Sequence, residues 1–443
     1  MMLGEGPNQD SLEFGNFHSY ASRIIHLEYK NLTDLAQIDQ STCIRLLQSK
    51  IPFLPKLKSL KTSHHGASAA NNDKMLSLLS PFLRSPFLES VAHLMPSNLT
   101  CEMGQFLSVL LGLKANIRTI SLSGVLPDEF VKPLGSLRGL KVLSLSLTAE
   151  SWTPALFGVL LTLELVEMSL DMNDADVLFL EQGVIPNFPS TLKQLSLRGN
   201  IVAIHRVLQC MAPQDDLESL SMCHILGRSR ISEPNINCLY DAIAWFPTVR
   251  ILSIDCANTK GDDPHPTHTS LGTGRLRSLM RLQSLSLKSL PSSVCFSDDD
   301  ILSIAQNWPF LKVLCLEHAA PPSSTRPMFG SVCDLIERCP DLARLAITLD
   351  FGDMGYQPQV ASLNLRHLDL QDTIINRPLI VARSIDKLCP NLLTFTVRNS
   401  TLCEQVREII FDAFRPVRKD QQNRDFALFR GHRQLTKNQT SYP

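Results

Sequence analysis

The amino-acid sequence predicts an α/β solenoid, in which short parallel strands stack side by side and helices cover their back. Three observations support this fold class: a six-residue apolar pattern that recurs along the chain, helix-like stretches between its copies, and a composition rich in leucine with only 6% aromatic residues. Leucine supplies roughly one residue in six, which is high even for a common residue. A core built of many similar aliphatic layers fits that composition.

The recurring pattern is a hexad: an apolar residue, two variable residues, an apolar residue, one variable residue and an apolar residue. Leu140–Leu145 is a complete copy, and successive copies start 23 to 33 residues apart. Because side chains alternate along a strand, positions four and six face one side and position five faces the other. One strand cannot bury such an apolar row, so the units must stack. Fourteen copies start at Ile24, Leu57, Leu88, Ile117, Leu140, Leu165, Leu192, Leu217, Val249, Leu282, Leu311, Leu342, Leu365 and Leu392.

Helix-like stretches lie between the predicted strands. Ser297 is a suitable N-cap, three aspartates follow it at the positive end of the helix dipole, and apolar residues then recur at helical spacing. Residues 332–338 and 381–388 follow the same plan. In all three units a proline lies two residues before the hexad, at Pro309, Pro340 and Pro390. The predicted fold is therefore an α/β leucine-rich-repeat solenoid, or horseshoe, with a parallel inner β-sheet and outer helices.

The repeat pattern also predicts the domain organisation. Residues 17–413 are expected to form one leucine-rich-repeat domain of about fourteen repeats. Residues 1–16 are polar and are predicted to be a disordered leader. Residues 414–443 form a basic tail, which is interpreted as a solvated terminus, with contact to an acidic partner as the alternative. The cations of this tail are Arg415, Arg418, Lys419, Arg424, Arg430, Arg433 and Lys437.

Composition and charge argue against several classes of protein. The net charge of −1 gives no field that would hold nucleic acid or an anionic membrane. The first 17 residues lack the apolar segment of a secretory signal, and no run of about 18 apolar residues occurs. The twelve cysteines occur without any Cys-x-x-Cys pair, so we expect reduced, buried thiols in a cytoplasmic or nuclear protein.

Catalytic and metal-binding interpretations have little support in the sequence. No nucleophile elbow, phosphate-binding loop, zinc-protease motif or spaced carboxylate pair is present, so neither an enzymatic activity nor a cofactor is expected. His265 and His268, with Asp262 and Asp263, could be metal ligands. Intervening prolines prevent a helix that would align the imidazoles, and an exposed insertion loop is the favoured alternative.

The fifth hexad position is predicted to face the concave side of the sheet. Seven consecutive repeats carry serine there, which suggests a neutral, hydrogen-bonding floor for a protein partner; the alternative is that a crowded face requires small residues. The serines are Ser121, Ser144, Ser169, Ser196, Ser221, Ser253 and Ser286.

Charged residues of both signs are expected beside this floor, and mixed charges suit a protein surface better than a phosphate backbone. Arg344, His367 and Asp369 are predicted to cluster on the same face near the C-terminal end. Solvated strand residues with no partner are the alternative. The candidate partner-binding residues are Arg198, Lys288, Glu317, Arg344, His367, Asp369 and Arg398.

Several segments resemble the fungal, mushroom-type F-box leucine-rich-repeat proteins. Residues 17–27 (FHSYASRIIHL) resemble the segment that follows the F-box in that family. Residues 296–314, which contain Trp308-Pro309, are similar to the family's repeated helix, Trp-Pro and strand unit. The segments beginning at Arg338-Cys-Pro340 and Leu388-Cys-Pro390 are similar to its Cys-Pro variants.

The resemblance implies an intracellular protein-binding role, as a substrate-recognition subunit of a cullin-type ubiquitin ligase that contacts the ligase's adaptor through an F-box. Only sixteen residues precede Phe17, and they contain no Leu-Pro-x-Glu-type opening of an F-box. Two alternatives therefore remain. Either an F-box lies upstream of this sequence, or the chain is an F-box-less scaffold or decoy repeat protein without a ligase link.

Overall fold

The computed structural model describes residues 19–29, 54–62, 82, 85–93, 116–126, 128–172, 191–211, 216–225, 233–257, 269–270, 273–290, 294–318, 326–352, 359–375, 377–397 and 401–410. The chain divides into two compact units, Met1–Val249 and Arg250–Pro443, called here the first and second units. The predicted leader, the basic tail, Arg398 and the loop with His265 and His268 lie outside the described residues.

Short strands that pair in chain order form the sheet of each unit. Neighbouring strands within each unit are parallel. The first unit contains β1 (His26–Tyr29), β2 (Ser59–Thr62), β3 (Ser90–His93), β4 (Thr119–Gly124), β5 (Val142–Leu147), β6 (Glu167–Met172), β7 (Gln194–Gly199) and β8 (Ser219–Ile225). The second unit contains β9 (Ile251–Ala257), β11 (Ser284–Leu290), β13 (Val313–His318), β14 (Arg344–Asp350), β15 (His367–Ile374) and β16 (Thr394–Val397). A separate pair joins β10 (Thr269–Ser270) to β12 (Val294–Cys295).

Helices connect many of these strands. The first unit has α1 (Asp128–Gly135), α2 (Pro154–Leu160), α3 (Ile201–Cys210) and α4 (Glu233–Ile243), and a 3-10 turn at Ala149–Ser151. The second unit has α5 (Asp298–Asn307), α6 (Phe329–Arg338), α7 (Pro378–Leu388) and α8 (Thr401–Glu408), and a 3-10 turn at Thr273–Ser278. The predicted α/β leucine-rich-repeat solenoid with a parallel sheet is confirmed.

All fourteen strands of the two stacks begin at the third position of a predicted hexad. The apolar hexad positions one, four and six form the core: Leu140, Leu143 and Leu145 are each at most 1% exposed. The hexads at the two ends differ, because Ile24 and Val397 are only half-buried. A terminal strand lacks a neighbour on one side, so its apolar row is incompletely covered.

Backbone hydrogen bonds fix the register between repeats. The carbonyl at hexad position two accepts two amides from the next repeat: the Arg250 carbonyl oxygen accepts from Gln283 N at 2.8 Å and from Ser284 N at 2.9 Å. The same pair of bonds recurs from β1 to β8 and again from β9 to β16. Since each unit repeats this geometry, equivalent hexad positions of neighbouring strands lie side by side, about 4.8 Å apart.

In most of the described repeats, a buried residue three positions ahead of the hexad anchors the turn before the strand. Trp308, Cys339 and Cys389 are each at most 2% exposed, and their carbonyls accept the amide of the first hexad residue. The Cys339 thiol also donates to the Trp308 carbonyl oxygen, with a sulfur–oxygen distance of 3.4 Å. The proline that follows each anchor has no amide hydrogen and cannot continue the helix. The anchor and the proline together end the helix and start the strand.

The predicted start of α5 is confirmed by a capping box. The Ser297 hydroxyl accepts from Asp300 N at 3.2 Å, and the Asp300 carboxylate accepts from Ser297 N at 2.9 Å. The other two predicted helices begin about one turn earlier than expected, at Phe329 and Pro378. Proline suits the first helical position because the amide there has no partner within the helix.

Buried cysteines behave as small core residues in the described part of the chain. Burial raises the pKa of the Cys339 thiol to about 11 and that of Cys333 to about 12, and it also raises the pKa of Cys389. No cluster of metal-ligating side chains is found among the residues that the structure describes. Those residues also include no helix long and apolar enough to cross a bilayer.

Candidate functional site

A row of serines crosses the exposed face of the first unit's sheet at hexad position five. Strand register places Ser121, Ser144, Ser169, Ser196 and Ser221 opposite one another on β4 to β8. All five are half-buried. Each serine is flanked by two buried apolar residues of its own hexad, so the strand period turns its hydroxyl to the other side of the sheet. This set is called the serine row below.

The hydroxyls of the serine row form no hydrogen bond with the part of the protein that the structure describes. Four of the five serines, all except Ser121, border a shallow depression of about 180 Å³ on the sheet face. Polar residues from hexad position three complete its lining: Glu167 on β6, Gln194 on β7 and Ser219 on β8. The depression therefore offers hydroxyl donors and acceptors from four strands, β5 to β8, with a carboxylate and an amide at the margin.

The residue directly after each hexad, called position seven, carries opposite charges on the neighbouring strands β6 and β7 of the first unit. Arg198, a predicted binding residue, is exposed on β7, and its Nε lies 3.9 Å from Asp171 Oδ2 on β6. The Ser146 hydroxyl on β5 donates to the same oxygen at 3.2 Å. Asp171 Oδ1 is buried and has no hydrogen-bond partner within the described residues. This carboxylate therefore retains an acceptor that a ligand could use.

The second unit also has an acidic residue opposite a basic residue at position seven, but its residues at position five differ from those of the first unit. Lys288 on β11 lies opposite Asp255 on β9, which matches the positions of Arg198 and Asp171 in the first unit. Ser253 and Ser286 face each other at position five, as predicted. The next two residues of that row are Cys315 and Ala346, and both are buried. Serines therefore occupy position five of the second unit only on β9 and β11, and from β13 the position carries other residues.

Three predicted binding residues meet on β14 and β15. Arg344 lies opposite His367, and Asp369 is the second residue after His367 along β15. The His367 ring Nδ1 is 2.7 Å from the Thr394 hydroxyl oxygen on β16. Arg344 and His367 are exposed and Asp369 is half-buried, so the structure brings together the group that the sequence placed on one face.

Glu317 and Lys288 occupy position seven on adjacent strands and are half-buried. The Cys315 thiol donates to Glu317 Oε1 at 3.6 Å. Burial raises the pKa of Cys315, and the Glu317 carboxylate raises it further, while Arg344 and Lys288 lower it. These opposing influences indicate that the three charged side chains share one neighbourhood around Cys315.

Sequence reasoning missed two features of this face. Glu167 and Gln194 line the depression from hexad position three, at which only Arg344 and His367 were assigned to this face from the sequence. The charge row at position seven also stops at β14 and β15, where Thr348 and Gln371 are buried at 0% and 3% exposure. The hexad register itself could have identified the first feature, because position three faces the same side as position five.

Comparisons with known proteins give a limited result. No family model matches the chain, and no curated protein matches it. Among solved structures, the chain is similar to one described as the crystal structure of the Rad7 and Elc1 complex in yeast, with 14% sequence identity and a TM-score of 0.39. The alignment covers 90% of this chain and 95% of that chain.

Proposed function

We propose that this chain is a non-enzymatic protein-binding module and that the exposed sheet face of the first unit receives the partner. The observation that supports this proposal is the serine row, whose five hydroxyls have no hydrogen-bond partner in the described part of the chain. Small side chains let a partner approach the sheet closely, and free hydroxyls supply adaptable hydrogen bonds to it.

The charges around the row favour a protein over a polyanion. Position seven carries an acid, Asp171, on β6 and a base, Arg198, on the neighbouring β7, whereas a phosphate backbone would select one sign. The eight strands span about 34 Å at the usual strand spacing. Strands β1 to β3 have four residues and are about 13 Å long, and β4 to β8 have six or seven residues and are about 20 Å long. That surface approaches the roughly 800 Å² per partner of a standard interface.

The more specific proposal is substrate recognition for a cullin-type ubiquitin ligase in the cytoplasm or nucleus. Its support is the resemblance of residues 17–27 and of the Trp308-Pro309 and Cys-Pro units to F-box repeat proteins. The alternative is a scaffold or decoy that binds a protein without recruiting a ligase. The two differ in one measurable property, since only the first requires contact with the ligase's adaptor subunit.

Site-specific crosslinking tests the binding face. A photo-crosslinking residue at position 169 of the full chain should capture a partner in cells, and mass spectrometry identifies it. With that partner purified, Ser169→Trp should weaken binding about tenfold or more, because an indole at the centre of the serine row excludes close approach. Gln209→Trp, on the exposed side of α3, is the matched control and should leave affinity unchanged. Equal affinity for Ser169→Trp and the wild type would reject the proposed face.

Adaptor co-purification tests the ligase proposal. The protein translated from the complete gene should retain the cullin-ligase adaptor through purification, and its captured partner should lose ubiquitylation when the chain is deleted. A complete gene product that binds its partner but never the adaptor would reject the ligase role and favour the scaffold.

A further inference from the structure

The edge of the second unit's sheet where the strands start is rich in exposed cations. The carbonyls of Arg250, Lys312 and Arg366, all at hexad position two, accept the amides that begin the next strand. Arg281 lies one residue before its hexad, and Arg344 begins β14. All five side chains are exposed. These five residues are called the basic edge.

The positive charge of the basic edge is not neutralised by the described residues of the protein. None of its five cations has a carboxylate oxygen within 4.0 Å in that part of the chain. Within two residues of the six hexad starts of this unit, Asp341 is the single acidic residue, and it is exposed. Exposed, unneutralised charges of one sign attract an oppositely charged ligand.

Exposed apolar side chains are interleaved with these cations. Met280, 71% exposed, precedes Arg281, and Phe310, 60% exposed, lies two residues before Lys312. Leu393, 57% exposed, occupies hexad position two in the repeat after Arg366. Leu363, three residues before Arg366, is 66% exposed. Apolar groups rimmed by charge characterise protein-binding surfaces. Three of the four are aliphatic and give bases nothing to stack on, which disfavours a single-stranded nucleic acid.

We propose that the basic edge binds an extended acidic peptide segment of the protein partner. This inference rests on the proposed protein-binding function and adds a second contact region with a defined chemistry. The peptide runs across the strands, its carboxylates pair with the cations, and its apolar side chains contact Phe310 and Leu393.

Strand spacing sets the sequence pattern of that peptide. Arg250, Lys312 and Arg366 lie at equivalent positions of β9, β13 and β15, which are every second strand of the sheet. Two strand intervals measure about 10 Å. A peptide in the extended polyproline II conformation has three residues per turn and advances about 3.1 Å per residue, so its residues i, i+3 and i+6 lie on one face at nearly that spacing. Every third peptide residue therefore meets a cation. The recognised pattern is an acidic residue at positions i, i+3 and i+6, with apolar residues between them.

Synthetic peptides test the pattern against the full chain by fluorescence anisotropy. One 12-residue peptide carries aspartates at i, i+3 and i+6 with leucines between them, and a second peptide has the same composition with the aspartates grouped together. The spaced peptide should bind at least about fivefold more tightly than the grouped one, because only its carboxylates match the cations. Equal affinity for the two peptides, or no binding of the spaced peptide at about 1 mM, would overturn the inference.

Charge-reversal variants locate the binding. Lys312→Glu with Arg366→Glu should weaken binding of the spaced peptide about tenfold or more. Arg383→Glu with Lys387→Glu, both exposed on α7, makes the same change in net charge and should alter affinity less than twofold. Similar losses in the two double variants would overturn the inference by showing nonspecific attraction. Tighter binding of a single-stranded oligonucleotide than of the spaced peptide would also overturn it.

The Ser169→Trp variant separates this inference from the proposed function. It should bind the spaced peptide as the wild type does, because the basic edge belongs to the second unit. In one outcome, the spaced peptide binds no form of the chain while binding of the crosslinked partner still depends on Ser169. That result would reject peptide binding by the basic edge and leave the sheet-face proposal intact.

Discussion

The two units place charged residues at the same edge of the repeat but use them differently. In the first unit, two of the four cations at hexad position two pair with acids of the following repeat: Lys141 Nζ lies 3.5 Å from Glu164, and Lys193 Nζ lies 3.9 Å from Glu218. The other two, Lys58 and Arg118, form no ion pair within the described residues. The cations of the basic edge in the second unit have no such partners among the described residues. Exposed ion pairs contribute little stability, so this difference bears on binding more than on folding. A repeat scaffold can therefore change its surface chemistry without changing its backbone.

The repeats also differ in the residues that anchor their turns, within the first unit as well as between the units. Trp308 of the second unit, at the end of α5, and Phe246 of the first unit are fully buried, whereas Leu137, at the equivalent place before the β5 hexad, is 8% exposed. Each of the two aromatic side chains is larger and better covered than Leu137 and buries more apolar surface. Each repeat contacts mainly its neighbours, so damage at an anchor should remain within its own unit.

Replacing the tryptophan anchor should give the largest effect on stability. We expect Trp308→Ala to destabilise the second unit by about 3–5 kcal/mol, because it removes a buried aromatic side chain and leaves a cavity. Leu137→Ala should cost about 2 kcal/mol in the first unit, since that side chain is smaller and partly exposed. Native-state hydrogen exchange resolved by segment measures both changes.

A phenylalanine variant controls for the indole nitrogen. Trp308 Nε1 has no hydrogen-bond partner among the described residues. Trp308→Phe should therefore keep much of the protection from hydrogen exchange that Trp308→Ala loses. If Trp308→Ala reduced the protection from exchange of β4 to β7 as strongly as that of β13 and β14, the two units would unfold together. The prediction that damage at an anchor remains within its own unit would then be wrong.

The sequence was sufficient to predict the repeat but not all of its details. Every hexad identified a strand because the pattern combines a two-residue alternation with apolar positions that no isolated strand could bury. The short strands β10 and β12 were not predicted, since Thr269–Ser270 and Val294–Cys295 carry no alternation to distinguish them from loops. The starts of α6 and α7 were missed by one turn because Met328 and Arg377 supply no side-chain cap.

The sequence predicted where the candidate binding face lies. It did not predict which of the charged side chains on that face form ion pairs. Register follows from the hexads, so Arg344 and His367 could be assigned to neighbouring strands. Whether a cation is paired depends on the length and direction of side chains across two repeats. Lys141 reaches Glu164, but Lys288 opposite Asp255 forms no ion pair within 4.0 Å. Such contacts depend on side-chain conformations that the hexad pattern does not determine.

Acid should weaken the first unit, because the buried His224 and the half-buried His205 bind protons more readily in the unfolded state. Burial lowers the pKa of His224, although a hydrogen bond with the Gly199 carbonyl partly opposes this, and burial also lowers the pKa of His205. A lowered pKa means that the unfolded chain binds the proton first as the pH falls below the ordinary value of 6.5. The stabilising contribution is therefore complete above that pH and is lost as the pH falls below it.

Segment-resolved hydrogen exchange between pH 7 and pH 5, corrected for the intrinsic exchange rate, measures this effect. Protection of β7 and β8 should decrease in the wild type, and His224→Gln should show a smaller decrease because it has no group that titrates in this range. The same acid sensitivity in the variant and the wild type would show that His224 does not contribute.

The smallest effect is expected from the cross-strand pairs, and it tests whether the two units differ in charge coupling. A double-mutant cycle with Arg198→Ala and Asp171→Ala should give a coupling free energy of about 0.5 kcal/mol, because Arg198 is exposed and its Nε is 3.9 Å from the carboxylate. The matched cycle with Lys288→Ala and Asp255→Ala should give a value near zero, since these opposed residues form no ion pair. Both cycles are measured by thermal unfolding at low salt, where screening is weakest. A coupling free energy in the second cycle as large as in the first would mean that cross-strand charges interact equally in both units. The proposed difference in charge pairing between the first unit and the basic edge would then be wrong.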